Sequence, residues 1–238
     1  MNGLSLALEK NGFRIVPTLL GADECAELVA DMEPQTGRPG LRTLLQVAAV
    51  NRLANRLLSM PQLAGAFKPN DVPIQCNYFV KDLETNWLVS PHQDISVPVA
   101  ERIDVTGYSG WTLKDGVHFV QPPEHILSCL VIVRIQLDEC LPNAGPLLVY
   151  PGSHCAGRLP TAEILLATKR IAPASCLVPK GGALVLRPLL IHASQKSSTT
   201  APRRILHFVF GPPFLPNGLR WACPSLAHEN LRGQSKRV

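Results

Sequence analysis

The sequence predicts a mainly β protein, an antiparallel sandwich or barrel preceded by helical support. Three observations carry that expectation. From about residue 74 the chain breaks into short runs rich in Val, Ile, Leu and aromatics, divided by Pro and Gly. No helical stretches alternate regularly with those runs, which argues against a doubly wound parallel sheet. The first third, by contrast, spaces its apolar residues for helices.

The elements follow in order. "GFRIVP" (12–17) predicts a short first strand. "GADECAELVADME" (21–33) predicts a helix, with acids in its early turns where the helix dipole favours them. "RTLLQVAAVNRLANRLLSM" (42–60) predicts a second helix, stopped by Pro61, and "GRPG" (37–40) the loop between them. Strands are expected in "IQCNYFVK" (74–81), "CLVIVRIQL" (129–137), "GPLLVYP" (145–151), "SCLVP" (175–179), "GALVLRPLLIH" (182–192) and "RRILHFVF" (203–210). Lys180, Gly181 and Gly182 read as the turn into the strand that ends at His192. The link from Ser96 to His125 reads as a long irregular loop, a lid or binding loop. The chain is thus expected to be one domain: helical support (1–70), a β core with loops (71–221) and a basic tail (222–238).

Composition excludes several classes. No apolar run reaches the ~18 residues that cross a bilayer, and the first residues lack the pattern of a secretory signal, so a cytoplasmic protein is expected, without a membrane partner. The net charge is +5, partly from Arg232, Lys236 and Arg237 in the tail. Without aromatic interleaving or a binding module, that charge does not predict nucleic-acid binding. The seven cysteines are scattered and never form C-x-x-C, against both a disulfide framework and a zinc knuckle. There is no G-x-G-x-x-G and no phosphate loop, and "GSHCAG" around Ser153 is not a nucleophile elbow. Nothing in the sequence fixes an oligomeric state.

The informative stretch is "LVSPHQDISVP" (88–98), which sets His92 and Asp94 one residue apart. On a strand, residues i and i+2 share a face, so an imidazole and a carboxylate can aim at one point. Two histidines and one carboxylate make the facial triad of non-haem Fe(II) oxygenases, with positions left open for co-substrate and oxygen. His192, ending an apolar run before the polar "ASQKSSTT", is the best third ligand. His154 in "YPGSH" is its rival. His118 and His125 fall in the long link, His228 in the tail, and His207 inside an apolar strand, where packing or support of the ligands from behind is expected.

"NWLVSPHQD", "GPLLVYPGSH" and "RPLLIHASQKSSTTAPRR", in this order and spacing, resemble the phytanoyl-CoA dioxygenase family over about residues 12–221. The resemblance implies a double-stranded β-helix, or jelly roll, and dependence on Fe(II), 2-oxoglutarate and O2. It implies His92, Asp94 and His192 as iron ligands. It also implies an arginine about eleven residues after the second histidine, here Arg203, for the distal carboxylate of 2-oxoglutarate. Arg204, adjacent and facing the other way on a strand, is the alternative anchor. Gln93, Asn77 and Trp111 are implied as lesser co-substrate contacts, with Ser194 a further candidate at the mouth. "PGSH" (151–154) is expected to turn tightly and shape the site.

The implied reaction is hydroxylation of a small organic substrate, with release of succinate and CO2. Desaturation and cyclisation are its variants, and Asp94 argues against halogenation, which needs the carboxylate replaced by a small residue. Arg42, Tyr108, Trp111, Lys114 and Phe119 are expected near the pocket's closure, Arg42 or Lys114 meeting an acidic substrate group. The family name does not make acyl-CoA the substrate. A zinc or manganese hydrolase or isomerase on the same fold, or a metal-bearing binding protein without turnover, are the rival readings.

Overall fold

The computed structural model describes residues 3–32, 42, 44–82 and 85–223. The loop expected at 37–40, the tail cations Arg232, Lys236 and Arg237, and His228 lie outside them. The first part of the chain holds α1 (Gly3–Lys10), β1 (Phe13–Val16), α2 (Ala22–Met32) and α3 (Ala48–Leu57) in that order. Then come β2 (Val72–Lys81), β3 (Val89–His92), β4 (Val97–Val99), β5 (Ser109–Lys114), β6 (Val117–Gln121), α4 (Glu124–Leu127), β7 (Val131–Gln136) and β8 (Leu147–Val149). The chain continues through α5 (Thr161–Arg170), β9 (Ala174–Cys176), β10 (Ala183–Leu186), β11 (His192–Ser194) and β12 (Arg203–Gly211).

Three antiparallel sheets result. The largest runs β1-β10-β7-β12-β2, a four-stranded sheet runs β3-β11-β8-β9, and β4-β6-β5 form the third. The first two make the jelly roll. Alternation along the strands separates two cores. Val131, Val133 and Ile135 of β7 join Leu206 and Phe208 of β12 on the helix-covered face. Ile132, Leu184, Leu186, Leu147 and Val149 turn inward between the sheets.

The helices form for the expected reasons. α2 buries Cys25, Leu28, Val29 and Met32 at helical spacing, with Asp23 and Glu24 in its first turn. α3 buries Val50, Leu53, Ala54 and Leu57, but spans less than the expected 42–60, because residues 44–46 form a separate 3-10 turn. Arg56 of α3 pairs with Glu24 of α2. No helix among the described residues is long and apolar enough to cross a membrane.

Two expectations are corrected. "GALVLRPLLIH" is not one strand: β10 ends at Leu186, and β11 begins at His192 in the other sheet. Pro188 falls between them, where its missing N–H cannot serve a ladder. The Lys180–Gly182 turn therefore leads into β10. The link from Ser96 to His125 is also not irregular, since it folds as β4, β5, β6 and α4. Its β5–β6 register shifts between Ser109 and Thr112, and that irregularity masks the strand period in the sequence.

The turn before β10 is tightly fitted. Gly181 has φ +76°, and a Cβ there would stand 2.2 Å from the Leu20 carbonyl oxygen. Gly181→Ala is expected to cost about 2 kcal/mol or more, read as a melting temperature lowered by roughly 4 °C or more.

A candidate metal centre

His92 ends β3, His192 opens β11, and the two residues are directly paired across the ladder. Their ring centroids lie 4.2 Å apart. Asp94 follows β3 with its backbone N–H donating to Pro188 O at 2.9 Å. One potential ligand atom from each of the three lies within 4.8 Å of the others.

The protonation pattern suits a metal. His92 Nδ1 is 2.8 Å from Ser90 O, and His192 Nδ1 is 2.9 Å from Leu190 O. A ring nitrogen facing a carbonyl must carry the proton, so each Nε2 keeps its lone pair. Those Nε2 atoms stand 3.7 and 3.6 Å from Asp94 carboxylate oxygens. Burial drives His192 down to about 4, overriding Asp94, which keeps the imidazole neutral. Burial alone would raise Asp94, but the three imidazoles around it and Arg134 outweigh that and hold the carboxyl below its ordinary value. Asp94 Oδ2 is buried without a hydrogen-bond partner, a costly state for an anion that a cation relieves. Two neutral nitrogens and one orphaned carboxylate oxygen fit a divalent transition metal.

Two groups hold the ligands in place. Gln93, expected as a co-substrate contact, is absent from the lining of the cavity around the triad. It points the opposite way from its neighbours, as the middle residue of an extended triplet must. Its Nε2 donates to Leu189 O at 2.7 Å and Gly157 O at 2.8 Å, and its Oε1 accepts from Leu159 N–H at 2.9 Å. Gln93 thus bolts the His92–Asp94 segment to the turn that precedes His192. Gln93→Leu is expected to cost about 1–3 kcal/mol by stranding buried partners, with a lower melting temperature and weaker metal retention. A direct role in holding co-substrate would instead leave the melting temperature unchanged.

"PGSH" supplies the other support. Ser153 Oγ accepts the Ile191 N–H at 2.9 Å, beside His192, and Gly152 N–H donates to Asn11 O at 2.9 Å. His154 is turned away from the triad: its Nε2 lies 3.2 Å from Glu9 O, and its Nδ1 would be 2.5 Å from a Cβ on Gly12. It therefore ties α1 to this turn, and His192 is the third member of the cluster.

The triad opens on a cavity of about 200 Å³. Phe79, Trp87, Val89, Leu147 and Ile205 form its apolar lining, and Lys81, Arg134, Arg203, Ser194 and His207 its polar one. Arg203 is 3% exposed, and its Nε and Nη1 have no hydrogen-bond partner. Arg204 faces away and closes on Asp138 with two bonds, of 2.8 and 2.7 Å. Lys81 is paired with Arg203 across β2 and β12. It donates to Ser194 Oγ at 3.1 Å and Gln195 O at 2.6 Å, and burial with Arg203 and Arg134 nearby lowers it to about 8. Asn77 stands opposite His207 with its Oδ1 buried and unpartnered, next to the cavity lining.

Trp111 is absent from that lining. It sits on β5, packed at the margin of the inner core, 5.7 Å from the Arg102 guanidinium. The other residues expected to close the pocket also lie elsewhere. Tyr108 and Phe119 are core residues, Lys114 covers the Phe119 ring, and Arg42 pairs with Asp115 at 2.7 Å. His207 agrees with the second of its two expected places, its Nε2 standing 3.8 Å from Asp94 Oδ2 behind the ligands. Two cavity residues, Arg134 and Lys81, lie within runs that the sequence marks only as strands. The signal for each is a lone cation in a strand-like run, an expensive residue to bury without a task.

Comparison with known proteins follows the same line. No curated protein matches the chain. Among solved structures, the carbocyclase SnoK from nogalamycin biosynthesis has a TM-score of 0.69 at 12% identity, over 98% of this chain and 90% of that one. The epimerase SnoN from nogalamycin biosynthesis gives 0.66 at 17%, over 93% of both chains. HygX from Streptomyces hygroscopicus, crystallised with nickel and 2-oxoglutarate, gives 0.63 at 19%, over 90% and 88%. At these identities the likeness carries the jelly-roll fold. The sequence itself matches the description "Phytanoyl-CoA dioxygenase (PhyH)" over residues 8–205. The match embraces the triad, its supports and the buried arginines, and the chain belongs to the phytanoyl-CoA dioxygenase family.

Proposed function

We propose that the chain is an Fe(II)- and 2-oxoglutarate-dependent oxygenase that hydroxylates an unactivated C–H bond of a small organic substrate, with release of succinate and CO2. The observation that carries this reading is the meeting, in one cavity, of a His-Asp-His donor set and a buried arginine with unpartnered donors. HygX, which shares the fold, has been crystallised with 2-oxoglutarate and a metal.

His92 and His192 would hold iron through Nε2, and Asp94 through its carboxylate. Arg203 receives the distal carboxylate of 2-oxoglutarate, for which a guanidinium offers parallel donors. Ser194 Oγ accepts from Lys81, which leaves its own hydroxyl hydrogen free for the same carboxylate. Iron with 2-oxoglutarate and O2, when bound, supplies the oxidising power that removes hydrogen from the substrate. The chain's own part is to orient the substrate and exclude water, for which Phe79, Val89, Leu147 and Ile205 make the wall. Asp94 keeps the position that a halogenase would vacate for halide. Epimerisation and ring formation, the activities named for SnoN and SnoK, are the alternative outcomes at the same centre.

The test is anaerobic. Fe(II) and then 2-oxoglutarate are added to metal-free protein, and the weak visible charge-transfer band of chelated 2-oxoglutarate is expected. A folded, metal-loaded protein that gives no band and no change in calorimetry on 2-oxoglutarate addition overturns the co-substrate and favours a metal-dependent hydrolase.

A further inference from the structure

One cavity group has no task in this reading. Arg134 sits on β7 between Val133 and Ile135, which face the helices, so its side chain enters the space between the sheets. It is 9% exposed. Among the described residues its one hydrogen bond is long, Nη1 standing 3.5 Å from His207 Nδ1, and its Nε has no partner. The guanidinium lies 5.9 Å from the Phe79 ring, a weak compensation for lost water. The neighbouring cations differ. Lys81 has two acceptors, and Arg204 has a carboxylate.

The charge balance points the same way. Lys81, Arg134 and Arg203 line the cavity with a single carboxylate, Asp94. His192 gives its Nδ1–H to Leu190 O and keeps a lone pair on Nε2, and His207 turns Nδ1 as an acceptor toward the Arg134 guanidinium, so neither imidazole adds charge. A divalent metal and dianionic 2-oxoglutarate cancel each other, so both together leave two positive charges in excess. Uncompensated charge on buried side chains facing a mostly apolar cavity is unfavourable, and an anionic ligand removes the penalty. Arg134 is held to about 10 by burial and by Arg203, and remains a cation at neutral pH.

We infer that Arg134 is a second carboxylate-binding residue of this cavity, separate from Arg203, and that the ligand it receives is the carboxylate of an acidic primary substrate. The inference rests on the iron and 2-oxoglutarate reading for the identity of the first carboxylate. The other source of the same chemistry is the metal-proximal carboxylate of 2-oxoglutarate, and the experiment separates the two.

Wild-type and Arg134→Met proteins are loaded with Mn(II), and 2-oxoglutarate binding is measured by calorimetry. Propionate is then titrated into the 2-oxoglutarate-saturated proteins, read by broadening of its proton resonances by the metal. The expected result is saturable propionate binding that weakens at least tenfold in Arg134→Met, with 2-oxoglutarate affinity changed less than threefold. A tenfold loss for 2-oxoglutarate instead keeps Arg134 as a carboxylate site and assigns the carboxylate to the co-substrate. Unchanged affinity for both ligands in the folded variant overturns the inference. Arg134→Gln is read identically should the Met variant fail to fold. If wild type binds no 2-oxoglutarate, the co-substrate reading has failed, and the dependence of propionate binding on Arg134 still decides this one.

Discussion

His192→Ala is expected to abolish both iron retention and succinate formation in a protein that stays folded. The imidazole is 3% exposed, and its Nδ1–H donates to Leu190 O, so its Nε2 is committed to the centre. Its removal leaves one imidazole and one carboxylate, too few ligands to hold iron against water. The loss should exceed the roughly 10–100-fold that removal of a ligand's hydrogen-bond partner costs. Metal content after dialysis and succinate release are the measurements, with circular dichroism as the check on folding. His154→Ala makes the contrast: it should keep its iron and lose stability, because His154 clamps Glu9 rather than the triad. Normal iron content and turnover in His192→Ala would remove it from the ligand set.

Arg203→Met is expected to weaken 2-oxoglutarate binding about 30-fold or more, the usual consequence of stranding one member of a buried charged pair, about 2 kcal/mol and upward. Arg204→Met should leave that affinity unchanged. It instead breaks the two-bond pair with Asp138, costing about 1 kcal/mol of stability at a partly exposed site. Calorimetric titration with 2-oxoglutarate distinguishes the neighbours. An affinity loss in Arg204→Met alone would mean that the wrong guanidinium was assigned.

Much of the fold and part of the site are legible in the sequence. The spacing of His92 and Asp94 suggests a shared face; β3 ends at His92, and Asp94 just beyond it still brings its carboxylate to the same cluster. The mainly β core and α2 followed from periodicity and turn residues. What sequence could not supply was direction across long separations. Gln93 belongs to the same triplet as two ligands, yet its partners are Gly157, Leu159 and Leu189, and nothing local in the sequence names them. Arg134 and Lys81 were hidden because strand propensity counts an apolar run and overlooks the one inward cation that the run contains. The 96–125 link was misread because short strands with a shifted register lose their alternation. Pro188 was the unread clue that "GALVLRPLLIH" crosses from one sheet to the other.

The two walls of the jelly roll carry different duties. His92, His192 and Ser194 come from the four-stranded sheet, whereas Lys81, Arg134, Arg203 and His207 come from the five-stranded one. The struts that immobilise the triad, Gln93 and Ser153, bond to the backbone of the turn ahead of β11. An inward charge such as Arg134 can therefore be exchanged on one wall while Gln93 and Ser153 keep the ligands' positions fixed on the other. Such modularity lets a lineage keep one reaction engine while exchanging the molecules it acts upon.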